Sequence, residues 1–448
     1  MKLTAYLIRS SLVGALGGLL FGFDTAVIAG TTHQLTELFH LTENHLFTSP
    51  SLGMTVAIGL FGTVIGAMSS GQLGQRIGSR EALRLMALLY LISAVGSALA
   101  WSWPALLVFR FIGGLGIGGS SVLGPVYIAE LAPAKWRGRL VGLFQINIVV
   151  GILLAFLSNY LIAAMNLGAN EWRWQLGVAA FPSAIFLVLL YTIPRSSRWL
   201  VTSGQDDEAQ RVLELMGSPN SAEELALIQQ SIREESQNLH EPLFQRKLRL
   251  PIFLAISIGM FNQLAGINAI LYYQNLIFEK AGFSTLSGYR QAALVAAFNL
   301  VATIFGMSLI DKAGRKTLLL IGSVGTAVCL AGVAVVFFTD THQNLLVYLL
   351  IVYIAFFAMS QGAVIWVYIS EVFPNRVRSK GQSLGSGSHW VMNMLIALLF
   401  PLVAKRSGGM PFAFFSAMMV LQFFVVLFVY PETKGKTLEQ LQHQLVRS

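Results

Sequence analysis

Asp24, in the stretch LLFGFDTAVIAG, is the one acid well inside an apolar segment of this chain, and Arg110, in FRFIGG, is the one base. A charge left alone in hydrocarbon is costly, so each must face a partner, a cavity or water. A carboxylate held by a guanidinium can act as a proton switch, because protonating the acid weakens its hold on the base. The plainer alternative is a static ion pair that fixes the packing of two helices. A second grouping is FNQLAGINAILYY at 261–273, where Asn262, Gln263 and Asn268 stand beside Tyr272 and Tyr273. Buried without partners, each amide costs about 2 kcal/mol or more. Amides donate and accept at once, which suits a ligand with neighbouring hydroxyl groups, whereas a lone amide in a spanning helix serves equally well as helix glue. Three amides within the seven residues 262–268 favour a binding site.

Elements that carry such groups must cross hydrocarbon. With 55% hydrophobic and 11% charged residues the composition lies far from that of soluble domains, where charged residues make up about a quarter. The chain reads as an integral membrane protein. Twelve apolar stretches have about the 20 residues that cross a roughly 30 Å core. They lie near 10–30, 52–70, 82–101, 104–127, 139–162, 174–193, 251–278, 290–310, 317–338, 345–370, 381–404 and 411–430. The first is too long and Gly-rich for a signal peptide, and it lacks a small-residue cleavage site. At about 1.5 Å per helical residue, Asp24 lies about 22 Å in from Arg9, and Arg110 about 10 Å in from Trp103 at the opposite face. Those depths nearly coincide, so the two charges are expected to pair.

The net charge of +9 raises the question of a nucleic-acid partner, and the distribution of the basic residues argues against one. With both termini inside, about 24 of the 30 Lys and Arg residues fall in inner segments, as the positive-inside rule requires. A multi-pass protein of the cell membrane with cytoplasmic termini follows as the expectation. The single Cys329 can form no internal disulfide, and no N-x-[ST] sequon occurs. One sizeable polar segment, 195–250, reads as a cytoplasmic linker with two short amphipathic helices. Asp206 and Asp207 are expected to open the first, and Ser221 to cap the second. It divides the chain into six-helix halves at 1–194 and 251–430, with a tail at 431–448. The halves repeat: Glu130-x-x-Pro-x-x-x-Arg137 recurs as Glu371-x-x-Pro-x-x-x-Arg378, Gly78-Ser-Arg as Gly314-Arg-Lys, and Pro194 as Pro431, at offsets of 241, 236 and 237 residues. The same order on the same side in both halves points to parallel repeats with substrate bound between them.

RGRLVGLFQINIVVG at 137–151, PRSSRWL at 194–200, NQLAGINAILYY at 262–273, DKAGRK at 311–316 and PETKGKTLEQ at 431–440 together resemble the sugar porters of the major facilitator superfamily. The resemblance covers essentially the whole chain, and within the family it is strongest to bacterial proton/xylose symporters and weaker to glucose facilitators. It implies an all-α fold of twelve transmembrane helices in two halves, and a monosaccharide and protons as substrates. The substrate site it implies comprises Gln145, Gln263, Asn268, Tyr272, Tyr273, Asn299, Gly362, Trp366 and Trp390. Amides would bond the hydroxyls, and tryptophan faces would pack on the apolar side of a pyranose. Asn262 and His389 join that site as departures: a shorter amide where the family has Gln, and an imidazole where it has an amide. Ile152 is apolar as in glucose facilitators, which tilts substrate choice toward a hexose. An aspartate at the place of Asp24 resembles the proton site of the bacterial symporters and is absent from the uniporters.

The same resemblance implies an inner gate of Glu130, Arg137, Asp311, Arg315, Glu371, Arg378 and Glu432. In its first half Gln75, Ser79 and Arg195 replace the family's usual residues, so the charge network there is expected to be rewired, with Glu130 paired to Arg137, Arg195 or Arg198 and a less stable outward-open state. No phosphate loop, H-E-x-x-H or nucleophile elbow occurs, so enzyme activity and a bound metal are not expected. GGLGIGGSS at 113–121 reads as close helix packing. The expectation is a proton-coupled monosaccharide symporter, active as a monomer in the bilayer. An uncoupled facilitator, a non-transporting sensor and a drug or organic-acid exporter are the competing readings.

Overall fold

The computed structural model describes residues 4–41, 51–133, 136–218, 220–238, 242–374 and 377–434. The side chains of Arg137, Asp311 and Arg378, and the tail from residue 435, lie outside that description. Among the described residues there is no strand, and twelve helical segments are long and apolar enough to cross a membrane. Hydrocarbon offers the backbone no hydrogen bonds, and a helix satisfies its own.

The helices are α1 (Ala5–Leu38), α2 (Leu52–Ile77), α3 (Ser79–Ala98), α4 (Trp103–Leu131), α5 (Arg137–Ala164), α6 (Glu171–Gly177) and α7 (Ala180–Leu189). The polar segment holds α8 (Ser197–Thr202), α9 (Asp206–Leu215) and α10 (Ser221–Asn238). There follow α11 (Arg249–Leu264), α12 (Ile267–Lys280), α13 (Thr285–Ala313), α14 (Arg315–Thr339), α15 (Leu345–Phe357), α16 (Ala363–Glu371), α17 (Arg378–Arg406) and α18 (Met410–Val429). Acids fill the first turn of α9, as its exposed N–H groups favour. Ser221 does not cap α10 from outside, because the helix already includes it. Its hydroxyl turns back to α9, donating to Glu214 Oε1 at 3.1 Å.

The helices group into two compact units. The first takes Met1–Thr25, Phe61–Ala155 and Arg173–His240; the second takes Ala26–Leu60, Phe156–Trp172 and Glu241–Ser448. Within the first, glycines set the helix crossings. A methyl group on Gly22 of α1 would overlap the Ile148 carbonyl of α5, and one on Gly118 of α4 would overlap the Thr63 carbonyl of α2. The glycine run at 113–121 therefore serves close packing. Tyr127 Oη donates to the Pro194 carbonyl at 2.8 Å and ties α4 to the chain after α7.

Within the second unit, the end of α1 is held by its carbonyls. Asn159 of α5 donates to Val27 O at 3.1 Å, Asn275 of α12 donates to Ala29 O at 3.1 Å, and Tyr289 of α13 donates to Gly30 O. The apolar core of the unit gathers Leu243, Leu248, Leu254, Ile258, Tyr368, Phe373 and Tyr430. Tyr368 stacks on Tyr430, and Tyr368 Oη donates to the Pro431 carbonyl at 3.1 Å. That bond repeats the Tyr127 to Pro194 contact of the first unit, helix for helix. The amide-rich stretch breaks where α11 ends at Leu264 and α12 starts at Ile267. Gly266 between them has φ +82°, a left-handed turn that other residues adopt only under strain. The Ala265 carbonyl freed by the break accepts from Tyr353 Oη at 2.7 Å. A single π-helical turn at Ala358–Gly362 interrupts the α15 to α16 segment, a local irregularity of the kind found at functional sites.

Candidate functional site

At the α11 to α12 break the side chains converge on Gln263, which is 1% exposed. Its amide nitrogen lies 3.1 Å from Asn262 Oδ1 and 3.3 Å from the ring nitrogens of His389. Its amide oxygen accepts from Asn268 Nδ2 at 3.0 Å. Asn262 Nδ2 in turn reaches the Gln361 carbonyl of the π turn at 3.4 Å. An amide nitrogen has two hydrogens, so Gln263 can serve Asn262 and an unprotonated His389 nitrogen together. His389 lies between two indoles, with centroids 5.1 Å from Trp366 and 5.0 Å from Trp390. Trp390 is buried, whereas Trp366 is 38% exposed and presents an open apolar face. Gly362 closes the π turn one helical turn before Trp366, and a Cβ there would meet only Phe357 at ordinary contact distance.

The two tyrosines part company. Tyr272 Oη accepts from Asn393 Nδ2 at 3.2 Å, in the direction of α17, one turn after His389. Tyr273 is fully buried, donates to the Ala397 carbonyl at 2.7 Å and stacks on Phe400. Its hydroxyl is thus engaged by backbone, away from the Gln263 group. Asn299 of α13 is buried, and its Oδ1 accepts from Thr303 at 3.5 Å. Gln145 stands half-buried on α5 in the first unit. Sequence reasoning passed over Gln361, which donates to Met419 Sδ, and Asn393. Amides inside spans were the available signal for both, and neither sits in a cluster along the chain.

In the first unit the two buried charges meet. Arg110 Nη1 lies 3.2 Å and 3.4 Å from the two oxygens of Asp24, and their side chains are 6% and 16% exposed. One nitrogen spanning both oxygens at that range is looser than a forked pair, whose bonds fall near 2.7–2.9 Å. Arg110 Nε has no hydrogen-bond partner among the described residues.

The pattern shared by the repeats takes a different form in each unit. In the second, Arg315 Nη2 pairs with Glu371 Oε1 at 2.9 Å, and Thr433 donates to Glu371 Oε2 at 2.6 Å. Glu432 caps α14, accepting from the backbone N–H of Arg315 at 2.9 Å and of Lys316 at 3.0 Å. In the first, Arg195 stands where Glu432 would, and it reaches Glu81 at 3.6 Å rather than Glu130. Glu81 also binds Arg80 and Arg84, each at 2.6 Å. Glu130 takes a hydroxyl bond from Ser79 at 2.8 Å, with Ser196 and the Arg198 charge beside it. Ser79 supplies locally what a distant arginine would otherwise give. Glu81 escaped the sequence reading because it looks like an ordinary first-turn acid.

Burial alone would raise the Glu432 carboxyl, but the N–H groups of Lys434, Arg315, Lys316 and Thr433 outweigh it and hold it below the usual range. A lowered folded-state value adds stability above the unfolded one and loses it as pH falls through the folded one. Glu432→Gln should therefore lower the thermal midpoint most near neutral pH, through loss of about 0.3–1 kcal/mol of helix-end stabilisation. The gap to wild type should narrow only as pH falls through the lowered folded-state value, below the usual glutamate range, where the carboxyl becomes neutral in both states. Melting curves taken from pH 7 down through the acid range measure it.

Among the described residues no group of His, Cys, Asp and Glu is arranged to hold a metal. The family model for "Sugar (and other) transporter" matches residues 10–445. The chain is 35% identical to the D-xylose-proton symporter of Escherichia coli strain K12, covering 98% of this chain and 96% of that one. It is 35% identical to the arabinose-proton symporter of Bacillus subtilis, covering 98% and 94%. The inward open structure of the E. coli xylose transporter XylE superposes with a TM-score of 0.86 at 34% identity, over 98% of this chain and all of that one. The XylE structure bound to 6-bromo-6-deoxy-D-glucose gives 0.80 at 34% identity, over 99% and 100%. With twelve candidate spans among its described residues and its match along nearly the whole length, the chain belongs to the sugar transporter family.

Proposed function

We propose that the protein is a proton-coupled symporter of a monosaccharide, working by alternating access. The Asp24–Arg110 pair carries the coupling, because a carboxylate inside a spanning helix with one loosely held partner can change protonation during a transport cycle. Relatives named as xylose-proton and arabinose-proton symporters support the same reading. The Gln263, Asn262, His389 and Asn268 cluster, with the exposed face of Trp366, binds the sugar in the second unit. The excess of Lys and Arg in the linker and the segments on its side sets both termini in the cytoplasm. Residues 1–194 and 251–430 are the two moving halves, 195–250 links them, and the protein works as a monomer in the cell membrane without enzymatic activity.

Proteoliposome uptake of labelled xylose, glucose and galactose, with and without an inward proton gradient, tests this. Accumulation above equilibrium with the gradient supports symport; gradient-independent uptake leaves only facilitated diffusion. The rewired Glu81 and Glu130 networks lower the stability of the outward-open state. Labelling of single cysteines at both ends checks that claim: a wild type resting outward-open, unaltered by Gln75→Asp, removes it.

A further inference from the structure

The entry to α11 carries a groove lined by residues outside the Gln263 cluster. Phe244, Gln245, Arg246, Arg249, Ile252, Phe253 and Ile256 line a cavity of about 480 Å³. Leu243 and Leu248 are inserted in the apolar core, so the short segment between them is anchored. Anchoring turns Phe244, Arg246, Lys247 and Arg249 outward, all exposed, with Phe244 at 77%. Arg249, Ile252, Phe253 and Ile256 stand at i, i+3, i+4 and i+7 and so share one helix face. Along that face the lining passes from a cation to apolar side chains within about 10 Å. No Asp or Glu occurs from Pro242 to Phe278, while Glu241 stands immediately before that stretch.

We propose that this groove is a binding site for one anionic phospholipid of the bilayer. Arg246 and Arg249 hold its phosphate, Lys247 adds to the attractive field, and the upper acyl chain lies along Ile252, Phe253 and Ile256. Basic groups just outside a membrane span attract anionic headgroups, and here an apolar groove continues from them into the start of a candidate span. The bound lipid would set the level of α11, the helix that carries Asn262 and Gln263.

Native mass spectrometry of the full-length protein in detergent, with dioleoyl-phosphatidylglycerol or dioleoyl-phosphatidylcholine added, tests the site without reference to transport. Wild type should retain the anionic lipid about tenfold better, and R246Q/R249Q should reduce that ratio to near one. The control R211Q/R233Q removes equal charge from the polar segment and should leave the preference intact. Equal retention of both lipids by wild type would overturn the proposal, as would a preference unaltered in R246Q/R249Q or lost equally in the control.

Discussion

Asp24→Asn should abolish concentrative uptake while leaving sugar exchange. With an inward gradient of one pH unit, a carrier moving one proton per sugar accumulates its substrate about tenfold, since that gradient is worth about 1.4 kcal/mol. Asparagine keeps the shape of Asp24 and can still accept from Arg110 Nη1, but it can neither lose nor gain a proton in the working range. The accumulation ratio should fall to one, while counterflow of labelled sugar continues. The change also leaves Arg110 buried at 5% exposure without a counter-charge. Such removal of one partner typically costs about 3–5 kcal/mol, so a lower melting temperature is expected as well. The double variant Asp24→Asn/Arg110→Gln separates the two effects, because it removes the stranded charge and should recover stability without recovering accumulation. A tenfold ratio persisting in Asp24→Asn would reject the proton role.

Gln263→Ala should weaken equilibrium sugar binding by about 1–3 kcal/mol, roughly 5- to 150-fold in Kd. The expectation is large because this side chain bonds Asn262, Asn268 and His389 at once. Its removal strands an acceptor on Asn262 and a donor on Asn268, beyond deleting any bond to the ligand. Calorimetric titration with xylose and glucose measures the change. Under a gradient the variant should reach wild-type accumulation at saturating sugar, since Asp24 and Arg110 are untouched. An unchanged Kd would take Gln263 out of the site.

Charge depth was the part of the site most legible along the chain. Rise per residue alone places Asp24 and Arg110 at one level, and a buried charge has so few acceptable partners that the pairing follows. The glycine run and the twelve spans were legible for the same reason: hydrocarbon permits few backbone solutions. Partnerships set by helix rotation were hidden. That Tyr273 turns to Ala397 while Tyr272 meets Asn393 depends on how α12 lies against α17, and adjacent residues on a helix point about 100° apart. Arg195 was expected among the partners of Glu130, yet Glu81 is the acid it meets. Ser221 lies inside α10 rather than before it, and its hydroxyl donates across to Glu214 of α9. In each case a short-range rule yielded to a contact from another helix.

The three bonds that hold the end of α1 all end on carbonyl oxygens, and a carbonyl oxygen has two lone pairs. Beside the helical N–H four residues on, the carbonyls of Val27, Ala29 and Gly30 accept from Asn159, Asn275 and Tyr289, and Ala29 O also takes the Thr32 hydroxyl. Undoing all three would leave every internal bond of the helix in place. The fastening is thus external to the helix: the bonds that hold that end of α1 are separate from the bonds that make it helical.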